Sequence, residues 1–86
     1  MKLWVKIVKD EKIIANIIET NDLPMNIEDY EETLTEVCHK LDLSTPVSLS
    51  MHYMSLVKFN ITEYKARDFI EPIDFTKLII ENISEK

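Results

Sequence analysis

The only cysteine of the chain, Cys38, stands directly beside one of the two histidines, His39. A thiol beside an imidazole can lose its proton and act as a nucleophile or a redox-active group. On a helix, however, successive residues are rotated by roughly 100°, so these two side chains point in different directions. The pattern therefore favours a buried thiol and a solvated histidine, and a small thiol-dependent enzyme or redox sensor using Cys38 is the alternative.

The second histidine, His52, follows Ser48 and Ser50. A serine in contact with a histidine is the start of a hydrolytic site, but residues two apart on a strand are about 7 Å apart along the backbone, too far for direct contact. A metal site that the fold builds from His39, His52 and carboxylates is an alternative, but the spacing of these residues matches no zinc or EF-hand pattern. We therefore predict a non-enzymatic protein with no catalytic residue, no cofactor and no metal site.

The chain has 86 residues, no glycine and a net charge of −6. Walker loops, dinucleotide fingerprints and nucleophile elbows depend on glycine, so these site classes are excluded, and tight turns are expected to use Asn, Asp or Pro. The negative charge repels nucleic acid and favours basic partners. No export signal or membrane-spanning run is visible, and one cysteine fits a reducing compartment. We expect a single cytoplasmic domain, residues 1–86, that binds neither membranes nor nucleic acid.

Residues 2–9 and 12–19 are rich in β-branched residues and are separated by Asp10-Glu11, which predicts an N-terminal hairpin. A two-residue loop places Trp4 opposite Ile17, although the lack of glycine in the turn leaves room for a bulge. The face predicted to join the core consists of Leu3, Val5, Ile7, Ile14, Asn16 and Ile18. The other face consists of Lys2, Trp4, Lys6, Val8, Ile13, Ala15, Ile17 and Glu19.

The rest of the chain predicts one main helix and further short strands. After a loop over 20–25, Asn26 is a good N-cap, and apolar residues at helical spacing predict an amphipathic helix over about 27–41. A short strand over 47–49 and a helical turn are preferred next, and a short helix over 50–59 capped by Ser50 is the equal alternative. A strand through Phe59 and Ile61, a helical turn over 65–70 and a C-terminal strand over 76–83 follow. The predicted fold class is α+β, with two layers and the helix on a largely antiparallel sheet.

Three stretches, "KLWVKIVKDEKII", "VCHKLDLSTPVSL" and "DFIEPIDF", give the chain a resemblance to a group of short uncharacterised bacterial proteins. The resemblance extends over nearly the whole chain. It implies a single small α+β bacterial domain and, because that group has no assigned activity, it transfers no catalytic or binding residue. The last stretch also predicts a loop that is anchored to the core by Phe69, Ile70, Ile73 and Phe75.

Two predicted surfaces suggest protein binding. One is an apolar patch with a polar rim, unless a later segment covers it. It consists of Trp4, Val8, Ile13 and Ile17, bordered by Lys2, Lys6 and Glu19. Acidic residues that include Glu32 and Glu36 line the outward side of the helix, either as a solvated face or as a docking surface for a basic protein.

We therefore expect a protein-interaction or regulatory module that binds a protein partner or a second copy of itself. A further alternative is an acidic inhibitor, antitoxin-like or DNA-mimicking, of a basic protein. Met51 and Met54 are interpreted as core filler, since methionine readily fills irregular gaps in a core, and an adaptable binding groove is the alternative.

Overall fold

The computed structural model describes residues 2–20 and 26–84. In chain order the elements are β1 (Lys2–Lys9), β2 (Lys12–Thr20), α1 (Ile27–Lys40), α2 (Ser50–Phe59), β3 (Ile61–Lys65), a 3₁₀ turn (Ala66–Asp68) and β4 (Lys77–Asn82). The strands form one antiparallel sheet in the order β2-β1-β4-β3. The predicted α+β class with an N-terminal hairpin is confirmed, and most of the predicted loop over 20–25 lies outside the described residues.

The core lies between the helices and one face of the sheet, which we call the inner face. Cross-strand pairing puts Val5 opposite Ile80 and Ile7 opposite Leu78, so these side chains point to the same side. Both helices pack there, because their buried residues join the same cluster. The cluster comprises Leu3, Val5, Ile7, Tyr30, Leu34, Val37, Cys38, Leu56, Tyr64, Phe69, Phe75, Leu78 and Ile80.

The predicted helix is confirmed as α1, with Asn26 as its N-cap. The side chain of Asn26 accepts a hydrogen bond from the backbone N–H of Asp29 at 2.8 Å, which satisfies a helix-end donor that has no partner within the helix. The loop after the 3₁₀ turn is anchored by Phe69 and Phe75, as expected. Ile70 is an exception, since it is 85% exposed.

Residues with positive φ take the positions that glycine usually occupies. They are Asp10, Glu11, Asp42 and Asn60, with φ between 51° and 68°. Asp10 and Glu11 form the hairpin turn, Asp42 follows α1, and Asn60 ends α2. The expectation that Asn and Asp replace glycine holds at three of these positions. Glu11 is the exception: its longer side chain lacks the short polar group with which Asn and Asp stabilise the left-handed conformation.

The segment after Pro46 differs from the prediction. The preferred strands over 47–49 and through Phe59 are wrong, because α2 covers Ser50–Phe59 and no strand forms over 47–49. The alternative of a short helix over 50–59 is the one that forms, although its N-cap is Leu49 and not Ser50. Apolar residues occur on every side of this helix, so no single stripe of helical period identifies it in the sequence. The helix ends where Asn60 adopts the left-handed conformation.

The predicted pairing of the hairpin is wrong beyond its first two residue pairs. Val8 lies opposite Ile13 as expected, but the register then shifts, so that Trp4 lies opposite Ile18 and Val5 opposite Ile17. The extra residue is Ile14, which forms a β-bulge. The predicted register would have buried the amide of Asn16 against the apolar core, and the bulge places Ala15 and Ile17 there instead.

Candidate interaction surfaces

The solvent side of α2 carries an apolar stripe formed by Met51, Met54 and Val57. These residues are three apart along the helix and therefore lie on the same side. Their exposed fractions are 60%, 44% and 50%. At the two ends of the helix, Leu49 and Phe59 are also exposed, at 51% and 70%. We call Met51, Met54 and Val57 the α2 stripe, and it is a substantial apolar surface for a small domain.

The interpretation of Met51 and Met54 as core filler is wrong. Only His52 and Leu56 of α2 are buried, because a helix in a two-layer fold has one side against the sheet. The sequence does contain a signal for this surface. Between Ser44 and Thr62 there is no acidic residue, although the chain has 16, and the apolar residues of this segment are too many and too evenly spread for one side of a helix to bury.

Basic side chains border the α2 stripe. Lys58 lies in the last turn of α2, and a cleft of about 340 Å³ beside Met51 is lined by Lys65 and Arg67 among other residues. Among the residues that the structure describes, neither Lys65 nor Arg67 forms an ion pair. The positive charge next to the stripe is therefore available to a partner.

Two carboxylates also line this cleft, but both are already engaged within the chain. Glu63 Oε1 lies 3.4 Å from Lys77 Nζ. Asp68 Oδ2 accepts a hydrogen bond from the backbone N–H of Lys65 at 2.8 Å and so caps the 3₁₀ turn. Lys77 offsets the charge of Glu63, whereas Asp68 keeps its negative charge. Three cations, Lys58, Lys65 and Arg67, then stand against one carboxylate, so the border of the stripe carries a net positive charge in an acidic chain.

His52 fixes the first turn of α2 to the sheet. It is only 4% exposed, its ring stacks on Tyr64 with centroids 4.3 Å apart, and its Nδ1 accepts a hydrogen bond from the N–H of Leu49 at 2.9 Å. Because Nδ1 accepts, the ring proton is on Nε2. Nε2 lies 3.9 Å from Asp68 Oδ2, which is too long for a hydrogen bond.

The strand on which Ser48, Ser50 and His52 would share one face does not form. Ser48 Oγ is hydrogen bonded to the hydroxyl of Tyr64 at 3.0 Å, and Ser50 begins α2. With a proton on Nε2 and a hydrogen bond to Nδ1, the ring of His52 also offers no free lone pair to a metal ion. The role that the geometry assigns to His52 is to cap and orient α2.

A buried chain of hydroxyls joins the two helical regions to β3, and the sequence did not reveal it. The hydroxyls of Tyr30 and Tyr64 are 2.6 Å apart, and Ser48 extends the chain. Burial raises the pKa of both tyrosines above the ordinary value. The polar groups satisfy one another, so the chain is a structural network that holds α2 in place.

Cys38 and His39 take the positions that helical geometry predicts. Cys38 is 0% exposed, and burial raises the pKa of its thiol to about 11. His39 is exposed on the other side of α1. The two side chains therefore form no nucleophilic pair, and the thiol stays protonated at neutral pH.

Trp4 and Lys6 lie together on the face of the sheet that no helix covers, which we call the outer face. The indole Nε1–H donates to Asn16 Oδ1 at 3.1 Å, and Lys6 Nζ lies 4.1 Å from the centre of the ring. Lys6 is 8% exposed and donates to Glu81 at 2.8 Å. Trp4 is half-buried, so much of this predicted patch is engaged within the sheet.

The remaining predicted contact residues lie elsewhere. Ile17 packs against the core on the inner face, so its assignment to the Trp4 patch is wrong, and the bulge is the reason. The exposed isoleucines of β2 are Ile13, Ile14 and Ile18, at 50%, 55% and 53%. Glu32 and Glu36 are exposed on α1, in the helical layer opposite the outer face, so the five predicted residues form no single site.

Comparisons with known proteins give no indication of function, so the functional assignment depends on the structure of this chain. No family model matches the chain, and no match was found among curated proteins or solved structures. In the ranges 2–20 and 26–84, neither helix has the length and hydrophobicity needed to cross a membrane. Within the same ranges, no three His, Cys, Asp or Glu side chains converge as metal ligands.

Proposed function

We propose that this chain is a non-enzymatic protein-interaction module and that the α2 stripe is its docking surface. The observation that carries the proposal is the exposure of Met51, Met54 and Val57 on one side of a helix whose other side is anchored in the core. Transferring such side chains from water into an interface contributes roughly 25 cal/mol per Å² of apolar area. Methionine also adapts its shape to a partner at little cost, because its side chain is unbranched.

The partner that fits this surface presents apolar side chains bordered by carboxylates. Lys58, Lys65 and Arg67 lie beside the stripe, and the latter two form no ion pair with described residues. A groove or helix on the partner that carries Asp or Glu at its border finds complementary charge there. Salt screens charges farther away than a Debye length of about 8 Å, which weakens the repulsion that distant acidic residues exert on such a partner.

The rigid attachment of α2 supports docking at this surface. His52 stacks on Tyr64, and Tyr64 is hydrogen bonded to Tyr30 and Ser48. These contacts fix the helix before a partner arrives, so binding loses less conformational entropy than it does for a mobile helix.

The setting that we propose is the cytoplasm of a bacterium, with no direct contact to nucleic acid. The net charge of −6 and the single cysteine support it. Burial of Cys38 weighs against the thiol-dependent alternative. The acidic-inhibitor alternative uses the outward side of α1, where Glu32 and Glu36 are exposed, and it predicts that partner binding weakens steeply with salt.

The test compares two exposed apolar positions by quantitative affinity capture from a lysate of the source organism, with mass spectrometry. Met54→Lys places a charge in the middle of the stripe, whereas Ile70→Lys places the same charge on an isolated side chain that is 85% exposed. We expect at least a tenfold loss of the captured partner with Met54→Lys and no change with Ile70→Lys. Circular dichroism checks that both variants fold.

Equal capture by the wild type and Met54→Lys would remove the α2 stripe as the docking surface. Loss of the partner when Glu32 and Glu36 are both replaced by Gln, with Met54→Lys unaffected, would transfer the role to the acidic side of α1.

A further inference from the structure

The strand at one end of the sheet, β2, has a long free edge. It has nine residues and pairs with β1 on one side, while no described strand pairs with its other side. Edge strands are usually protected by charges, proline or short length, because their unpaired N–H and C=O groups can pair with another chain. In β2 only Lys12 and Glu19, near the ends, are charged, and Ile13, Ile14 and Ile18 are exposed.

The opposite edge of the sheet is built differently. Strand β3 has five residues, of which Glu63 and Lys65 are charged, and it lies beside α2. The Nζ of Lys77 is also close to Glu63, at 3.4 Å. This edge is short and charged, as protected edges are, and β2 is neither.

We infer that β2 pairs with β2 of a second copy of this chain, antiparallel, about a two-fold axis at Asn16. A two-fold axis perpendicular to the sheet keeps the inner faces of both copies on the same side of the joined sheet. An inner-face residue of one copy must therefore meet an inner-face residue of the other, and the same holds for the outer face. With Asn16 at the axis, Ala15 meets Ile17 of the second copy on the inner side. On the outer side, Ile13 and the bulged Ile14 meet Ile18 of the second copy.

Charge complementarity supports the second copy as the occupant. Lys12 and Glu19 both point to the inner side, as their partners Lys9 and Leu3 on β1 do. Because the bulge absorbs one residue, Lys12 of each copy comes opposite Glu19 of the other. Glu19 Oε2 already lies 2.8 Å from Lys40 Nζ of its own copy, so Lys12 of the second copy adds a second cation to that ion pair on both sides of the axis. Axes moved by one residue fail this match: an axis at Ile17 places Ala15 against Glu19, and an axis at Ala15 places Ile14 against Asn16.

Asn16 suits the position on the axis. Its Oδ1 already accepts from the indole of Trp4 at 3.1 Å, which fixes the orientation of the amide. The amide nitrogen can donate to the Oδ1 of the second copy, and the reverse bond follows by symmetry. A polar pair at a symmetry axis selects one register among neighbouring ones. The outer faces of the two copies then form one continuous surface with Trp4 near its centre.

Reciprocal charge exchange tests this pairing, with sedimentation equilibrium as the readout. Lys12→Glu places Glu opposite Glu19 in both contacts of the dimer. Glu19→Lys places Lys opposite Lys12 and also removes the ion pair with Lys40 within each copy, so circular dichroism checks that this variant folds. Each variant alone is expected to dimerise at least tenfold more weakly than the wild type. An equimolar mixture of the two restores both ion pairs and is expected to form a one-to-one dimer within a few-fold of the wild-type constant.

Two further variants separate the edge from the rest of the outer face. Ile18→Lys is expected to give a monomer, and Ile61→Lys, on the opposite edge and also on an exposed isoleucine, is expected to leave the dimer intact. A monomeric wild type at millimolar concentration, an intact Ile18→Lys dimer, or no recovery on mixing would each overturn the inference. None of these outcomes bears on the α2 stripe, because Met54→Lys leaves β2 unchanged.

Discussion

The two helices pack on the same face of the sheet, yet their solvent sides differ completely. The solvent side of α1 is acidic, with Glu28, Glu31, Glu32 and Glu36 exposed. The solvent side of α2 is apolar, and its first turn contains no acidic residue. A helix needs one apolar side to fold against a sheet, and α1 has only that. The second apolar side of α2, the α2 stripe, contributes no residue to the core cluster of the described residues. This contrast with α1 is why we assign the α2 stripe to partner binding.

The largest expected difference in the free energy of unfolding is between substitutions on the buried side and on the exposed side of α2. Leu56 is 0% exposed in the core and Met54 is 44% exposed on the stripe. Leu56→Ala is expected to lower the free energy of unfolding by about 2–5 kcal/mol, because it leaves a cavity. Met54→Lys is expected to change it by less than ~0.5 kcal/mol, as exposed substitutions do. Urea denaturation measures both, and a loss above ~2 kcal/mol for Met54→Lys would mean that the stripe is packed within the chain.

An intermediate effect on the free energy of unfolding, one that depends on pH, is expected from Cys38 on the buried side of α1. The pKa of its thiol is raised from 9.0 to about 11, so the native state holds a proton that the unfolded state releases. The stabilisation is present in full below pH 9 and is lost as the pH rises towards 11. We expect the free energy of unfolding to fall across this range, and to fall less steeply in Cys38→Ala.

Thiol reactivity provides the control for the same residue. Iodoacetamide at neutral pH is expected to label Cys38 at least ~100-fold more slowly in the folded protein than in denaturant, since a pKa difference of two units changes the thiolate fraction by that factor. Rapid labelling of the folded protein would revive the thiol-dependent alternative.

The smallest expected effect concerns the helix N-termini. Asn26 caps α1 with its side chain, whereas the N-cap of α2 is Leu49, which has no side-chain acceptor. Asn26→Ala is expected to cost about 1 kcal/mol, and Leu49→Asp is expected to gain up to about 1 kcal/mol by supplying the missing acceptor. Thermal unfolding of the two variants tests this contrast. A loss of stability with Leu49→Asp would indicate that this leucine packs in the native state.

The difference between the helices also explains how far the sequence could predict the structure. The pattern of α1 is amphipathic and its N-cap is a strong one, so its bounds were predicted to within a residue. The pattern of α2 is apolar on all sides, so a short helix over 50–59 could be offered only as an alternative to strands, and its cap was placed at Ser50 where the structure has Leu49. The hairpin turn was predicted correctly because Asp10-Glu11 separates two β-branched runs.

The contact surfaces were harder to predict, for physical reasons that differ between them. The doublets Ile13-Ile14 and Ile17-Ile18 fit either register of β2, since each supplies an isoleucine to both faces. Two features pointed to the bulge: the lack of glycine in the turn, and Asn16, which the wrong register would have buried. The hydroxyl chain of Tyr30, Tyr64 and Ser48 joins residues far apart in the sequence, and local patterns carry no information about such contacts.

Site-specific photo-crosslinking tests the central claim most directly, because it compares the solvent sides of the two helices in one experiment. A photoreactive phenylalanine analogue is placed at Met54 on α2 or at Glu32 on α1, and the protein is irradiated in cells of the source organism. We predict a specific crosslinked partner from position 54 that is absent at position 32. A partner crosslinked from position 32 and absent at position 54 would contradict the claim and support the acidic-inhibitor alternative.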